Sequence, residues 1–257
     1  SYSWPYGTLA AVEAEPRSAL AWAELAMVYH AHALPIEART SYAKAARLDP
    51  AEPRWPYLEA LVLAPTDPAA SLERLAAAQS LGAIGLAVDW HEGNLLAELG
   101  RAEEARRAFE RGLAHDPMAA PLLAGRGRLS LQAGDLEASV ADLEAAVRAD
   151  PNWAESYVLL SQAYGRLRRE ADAAAAAKLA GAAQQLEQLG PPDPVFLAVI
   201  DRGVSVRWLV RRGQVAAQAG RVQEAEALFR QAISADPAAP AGYLGLGATL
   251  QSRGDLA

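Results

Sequence analysis

The 257-residue chain contains no cysteine. Disulfides, zinc–thiolate sites, thiol nucleophiles and c-type haem attachment are therefore excluded. Lysine is nearly missing as well: Lys44 and Lys178 are the only two, and 24 basic residues face 31 acidic ones, for a formal net charge of −7. No basic stripe runs along the chain, so the electrostatic footprint of a nucleic-acid binder is absent. Apolar runs are short, and none approaches the roughly 18 residues of a membrane span. No signal-peptide pattern is visible at Ser1. What is plentiful is small and apolar: 52% of residues are hydrophobic, against 21% charged, enough for a sizeable core.

Candidate chemistry is thin. The four histidines are His30, His32, His91 and His115. His30 and His32 are two apart and point to different sides of a helix, whereas helical metal pairs need a spacing of three or four. Asp89-Trp90-His91-Glu92 has no accompanying nucleophile motif. Gly125-Arg126-Gly127 and Gly245-Leu246-Gly247 resemble fragments of a phosphate loop, but neither follows a strand, and both read as helix-contact glycines. Arg106-Arg107 and Arg211-Arg212 read as solvated faces. No catalytic, cofactor or metal site is expected, and the chain is read as not an enzyme.

The dominant signal is repetition. Gly93, Gly100, Ala105, Phe109, Gly112 and Asp116-Pro117 recur 34 residues later as Gly127, Gly134, Ser139, Leu143, Ala146 and Asp150-Pro151. A fixed period of that length marks stacked helical units, each touching only its neighbours. Small residues such as Gly93 and Gly127 let a neighbouring helix approach, and bulky ones such as Phe109 and Leu143 fill the gap beside them. Gly100, Gly134, Gly220 and Gly254 supply a left-handed turn that is cheap only for glycine. Asp-Pro closes one unit and opens the next, since proline suits a first helical turn.

At the N-terminal unit, Trp22, Leu25, Ala26 and Tyr29 form one helical face, Ala38, Tyr42 and Ala45 a second, and Asp49-Pro50 ends the unit. Eight positions at this spacing resemble the tetratricopeptide repeat. That resemblance implies an all-α fold, a right-handed α-solenoid of about six to seven helix-turn-helix repeats. The Arg-over-Lys bias with abundant Ala, Leu and Gly points to a GC-rich bacterial genome.

The expected organisation is an N-terminal segment over 1–18 with a short helix that caps the first repeat or reaches a partner. Repeats 1 to 5 follow over 19–189, then a Pro-rich break over 190–205, and repeat 6 with a truncated repeat 7 over 206–257. Ala171 to Leu189 reads as one long Ala-rich rod. Gly190-Pro191-Pro192-Asp193-Pro194 interrupts the pattern: Pro151 and Pro237 are 86 residues apart, two periods of 34 plus 18. Asp193 and Pro194 read as the N-cap and first turn of a short apolar helix. The last unit lacks its second helix, so the natural chain is expected to continue beyond Ala257 or to meet a partner there.

In the tetratricopeptide family the first helices of the repeats line a concave groove for peptides or partner helices. By register the resemblance assigns Met27, His30, Tyr57, Leu61, Trp90, Asn94, Arg128, Gln162, Arg166 and Gln214 to that groove. Aromatic and Arg side chains of this kind suit protein contact. The family's carboxylate clamp uses Lys and Asn at such positions, where Ala23, Met27, Val158 and Gln162 stand here, so a chaperone-tail role is not implied. The expected function is a non-catalytic interaction scaffold or assembly factor with a protein or peptide partner. A permanently docked structural subunit of an envelope or extracellular complex, and the repeat region of a longer enzyme, are the rivals. No cofactor, nucleic acid or membrane span is expected. Freedom from cysteine leans towards a bacterial periplasmic or exported location.

Overall fold

The computed structural model describes residues 6–183, 190–203 and 205–253. Among them, fifteen helices and no strand are found. A first helix, α1 (Tyr6–Ala14), precedes five antiparallel pairs. These are α2 (Ala19–Ala31) with α3 (Pro35–Leu48), α4 (Arg54–Leu63) with α5 (Pro68–Ser80), α6 (Leu86–Glu98) with α7 (Ala102–His115), α8 (Ala120–Ala133) with α9 (Leu136–Ala149), and α10 (Ala154–Arg166) with α11 (Glu170–Ala183). A short helix, α12 (Pro194–Ile200), separates them from the pair α13 (Val206–Gln218) and α14 (Val222–Ala235), and α15 (Pro240–Arg253) follows.

Local chemistry explains the boundaries. Ser18, Asp67 and Asp135 each accept from a backbone N–H three residues on, at 3.2, 3.0 and 3.2 Å, which satisfies an orphan donor of the helix start. Asp116, Asp150 and Asp236, each followed by Pro, are helix C-caps with extended backbone. Each of these carboxylates accepts from the backbone two residues later: Asp116 from Met118, Asp150 from Asn152 and Asp236 from Ala238, at 3.0, 2.9 and 3.0 Å. The turn within the α6–α7, α8–α9 and α13–α14 pairs is left-handed, with φ of +73° at Gly100, +86° at Gly134 and +71° at Gly220. Ala33 and Arg168 occupy the same turn without glycine, at φ 56° and 58°.

The core lies between the pairs. Phe109 is fully buried and is held between successive first helices: a Cβ on Gly93 would stand 2.4 Å from its ring, and one on Gly125 2.5 Å. Phe229 repeats the arrangement with Gly213 and Gly245, at 2.7 and 2.2 Å. Tyr42, Leu75 and Leu143 fill the equivalent places. Each such side chain contributes on the order of 1.5–3 kcal/mol by leaving water.

Stacking runs unbroken from α2 to α11, each second helix packing on the next first helix, and α1 packs on α2. Repeat 6 departs from this order. α14 packs on α15, but α13 does not stack on α11 as α10 does on α9. Instead α12 packs against α2, α4 and α13. The expected long rod is described as helix to Ala183, and the rest of it, 184–189, lies outside the described residues, as does the expected turn glycine Gly254.

Candidate protein-binding groove

Successive first helices pack on one another in α6, α8 and α10, and the expected groove residues on the first helices of the first five pairs fall into two groups. Met27, His30, Tyr57 and Leu61 surround the chain's own inserted segment, in one apolar cluster with Val199, Ile200 and Trp208 or packed beside it. Gly190 enters at φ +75° against Trp90, where a Cβ would lie 2.9 Å from the ring. Asp193 caps α12: one carboxylate oxygen accepts from the backbone of Val195 at 3.0 Å and of Phe196 at 2.9 Å, and the other accepts from the Tyr57 hydroxyl at 2.5 Å. The Phe196 ring lies 5.4 Å from the His30 ring and 6.2 Å from that of Trp208.

The far end is fixed by charge and by backbone. Arg202 pairs with Glu24 through Nε at 2.9 Å, across 178 residues of sequence. The Trp208 indole N–H donates to the Ala31 carbonyl. Arg211 lies over the rings of Phe196 and Trp208, at 5.5 and 5.8 Å from their centroids, a favourable cation–π placement. Two cavities flank α12. One of about 260 Å³ lies by Pro53, Tyr57, Ile84 and Asp193, and one of about 510 Å³ by His30, Thr66, Phe196 and Arg211.

Burial sets the electrostatics here. It lowers His30 and His91 to about 4, with the Arg211 charge adding to the effect, so both imidazoles are neutral at pH 7. It raises the Asp193 carboxyl, opposed by the Tyr57 hydroxyl and the two amides. The Tyr57 hydroxyl is raised by burial and by the Asp193 charge, and stays a donor.

The second group runs along repeats 3 to 5. Asn94 donates to the Trp90 carbonyl at 2.9 Å and accepts from Arg128, one full period away. The other arm of Arg128 meets Glu155 at 2.7 Å. Arg166 donates to the Leu131 carbonyl at 2.6 Å. Gln162 and Arg166 are exposed, while Gln214 is buried on α13, outside the unbroken stack. Glu24, Glu155, Asp193, Phe196, Arg202 and Trp208 were not among the expected groove residues. The 18-residue excess and the Asp-Pro cap signalled an insertion, but not its destination.

Among the described residues, no group of three or more His, Cys, Asp or Glu could hold a metal, and no helix is long and apolar enough to cross a membrane.

Helix pairs stacked in this order define an α-solenoid, a fold that is in general an interaction module. The chain is a tetratricopeptide-repeat protein: the tetratricopeptide-repeat family pattern matches residues 91–154 and 194–257. The fold is similar to that of YrrB, described as a TPR protein with an unusual peptide-binding site, at 17% identity and a TM-score of 0.58, over 74% of this chain and 95% of that one. It is similar to PilF of Pseudomonas aeruginosa at 17% identity and a TM-score of 0.58, over 91% and 97% of the two chains. It is similar to PilW, a type IV pilus biogenesis factor, at 18% identity and a TM-score of 0.58, over 90% and 98%. At these identities the likeness is one of fold. No curated protein matches the sequence.

Proposed function

We propose that the protein is a non-catalytic assembly scaffold that holds an extended protein segment along the inner face of repeats 3 to 5. The repeat fold is in general an interaction module. The observation that carries the finer reading is the polar ladder Asn94–Arg128–Glu155, which spans three consecutive repeats beside exposed Gln162 and Arg166. Arg128 is held by partners on both sides, so presenting it to a ligand costs little further ordering. Backbone carbonyls and acidic side chains suit the Arg donors, and the amide of Gln162 can meet a peptide backbone in both directions. Trp90 closes the ladder with a broad aromatic surface, the residue type that dominates interface energetics. A second protein contact is proposed at α15, where Tyr243 and Leu244 are exposed.

A random peptide library selected on the full chain supplies the probe. The enriched peptides are expected to bind Trp90→Ala/Arg128→Ala at least tenfold more weakly by fluorescence anisotropy, with the variant still folded by circular dichroism at the temperature of the assay. Equal binding to the folded variant contradicts the assignment of the groove.

A further inference from the structure

We propose that the inner face of repeats 1 and 2 is a receptor for a short helix, and that Asp193–Arg202 is its built-in occupant. Its external partner is then a segment of the same chemistry: an acidic N-cap with proline in the first turn, an apolar stripe, and a basic residue at the far end. This rests on the interaction-scaffold reading and extends it to the other half of the groove.

Three observations carry it. The segment stands outside the stack, since α2 to α11 pack helix on helix without it. Its contacts are laid out as those of a ligand, polar at both ends and apolar between. The Tyr57 hydroxyl meets the Asp193 carboxylate at one end, and Glu24 meets Arg202 at the other. Between them Phe196, Val199 and Ile200 turn to the groove, at spacing i, i+3 and i+4. That is the anchor pattern by which a helix lies in an apolar groove. Finally, Gly190-Pro191-Pro192 and Gly203 bracket the segment with helix-breaking residues, so it is separate from the repeat helices on either side.

Complementarity fixes the partner's chemistry. The groove offers a hydroxyl donor where the occupant begins and a carboxylate where it ends, so a helix of reversed polarity would set its basic end on Tyr57 and its acidic cap on Glu24. Tethering gives the built-in segment an effective concentration in the millimolar range, so the intact chain resists a free competitor.

The test uses a labelled peptide of residues 190–203 and the full chain. Asp193→Ala/Phe196→Ala, which weakens the built-in segment, is expected to bind the peptide at least tenfold more tightly than the unaltered chain does. Adding Tyr57→Phe to that variant is expected to reduce binding at least fivefold. Loss of helical circular dichroism in the double variant would show the segment to be core rather than occupant, and overturns the proposal. So does a folded double variant without affinity for the peptide. Library peptides that depend on Arg128 report on the other half of the groove, so either reading can fail while the other stands.

Discussion

At the residue scale, one turn position is met in two ways. Gly100, Gly134 and Gly220 take the left-handed backbone without steric cost. Ala33 and Arg168 take it with a Cβ, at φ 56° and 58°. A side chain there brings Cβ close to the following carbonyl, at a cost of about 1 kcal/mol, while glycine adds freedom to the unfolded chain. Ala33→Gly and Arg168→Gly are each expected to raise unfolding free energy by about 0.5 kcal/mol, and together by about 1 kcal/mol. Urea denaturation checks this, and a net loss would show that the strain is taken up elsewhere in the turn. The turn glycines were legible because a backbone requirement leaves few residue choices. The packing glycines were legible for a related reason: Phe109 leaves no room for a Cβ at Gly93 or Gly125. Ala33 and Arg168 broke the pattern in sequence, and only the backbone shows that the same turn is made without glycine.

At the scale of the element, α12 is a helix of seven residues that propensity alone would not hold, since isolated helices below about a dozen residues are marginal in water. Its cap and its buried side chains hold it against α2 and α4. The two imidazoles in that region, His30 on α2 and His91 on α6, are neutral when folded because burial and Arg211 oppose their charge. Their folded values near 4 lie below the ordinary 6.5. Between those limits the unfolded chain binds protons that the folded chain does not, so stability is full above about pH 6.5 and falls as pH drops towards 4, by at most about 3 kcal/mol for each histidine. Denaturation midpoints at pH 7 and 4.5 are expected to fall in the unaltered chain, and to fall by clearly less in His30→Leu/His91→Leu. Equal losses in the two proteins would assign the acid sensitivity to other groups. The existence of α12 and its cap could be read from Asp193-Pro194, because capping is local chemistry. Its seat could not, because contacts such as Arg202 with Glu24 join residues 178 apart and leave no periodic trace.

At the scale of the whole molecule, the repeat pattern gave the solenoid but concealed a change of path. Repeat 6 satisfies the same packing rules as repeat 3, with Phe229 between Gly213 and Gly245 as Phe109 lies between Gly93 and Gly125. Read along the sequence, it therefore looks like the next unit of one stack. In the structure the inserted segment carries the chain back to the first repeat, and Trp208, on the first helix of repeat 6, docks on the end of α2. The ten expected groove residues then have unlike surroundings: those on α2 and α4 face the chain's own segment, Trp90 meets Gly190, Asn94 and those on α8 and α10 form or border the polar ladder, and Gln214 is buried on α13. Sequence register could assign each of them to the inner face of its repeat, but not say what stands opposite.

The return of the insert to the first repeat is the central claim, and the absence of cysteine makes it directly measurable. Glu24→Cys/Arg202→Cys carries the only two thiols in the chain. Treated with a short bismaleimide at low protein concentration, it is expected to cross-link within one chain, seen as a faster band on a denaturing gel and as a joined peptide pair by mass spectrometry, with each single-cysteine variant giving none. Failure to link, or links only between two chains, would contradict the account.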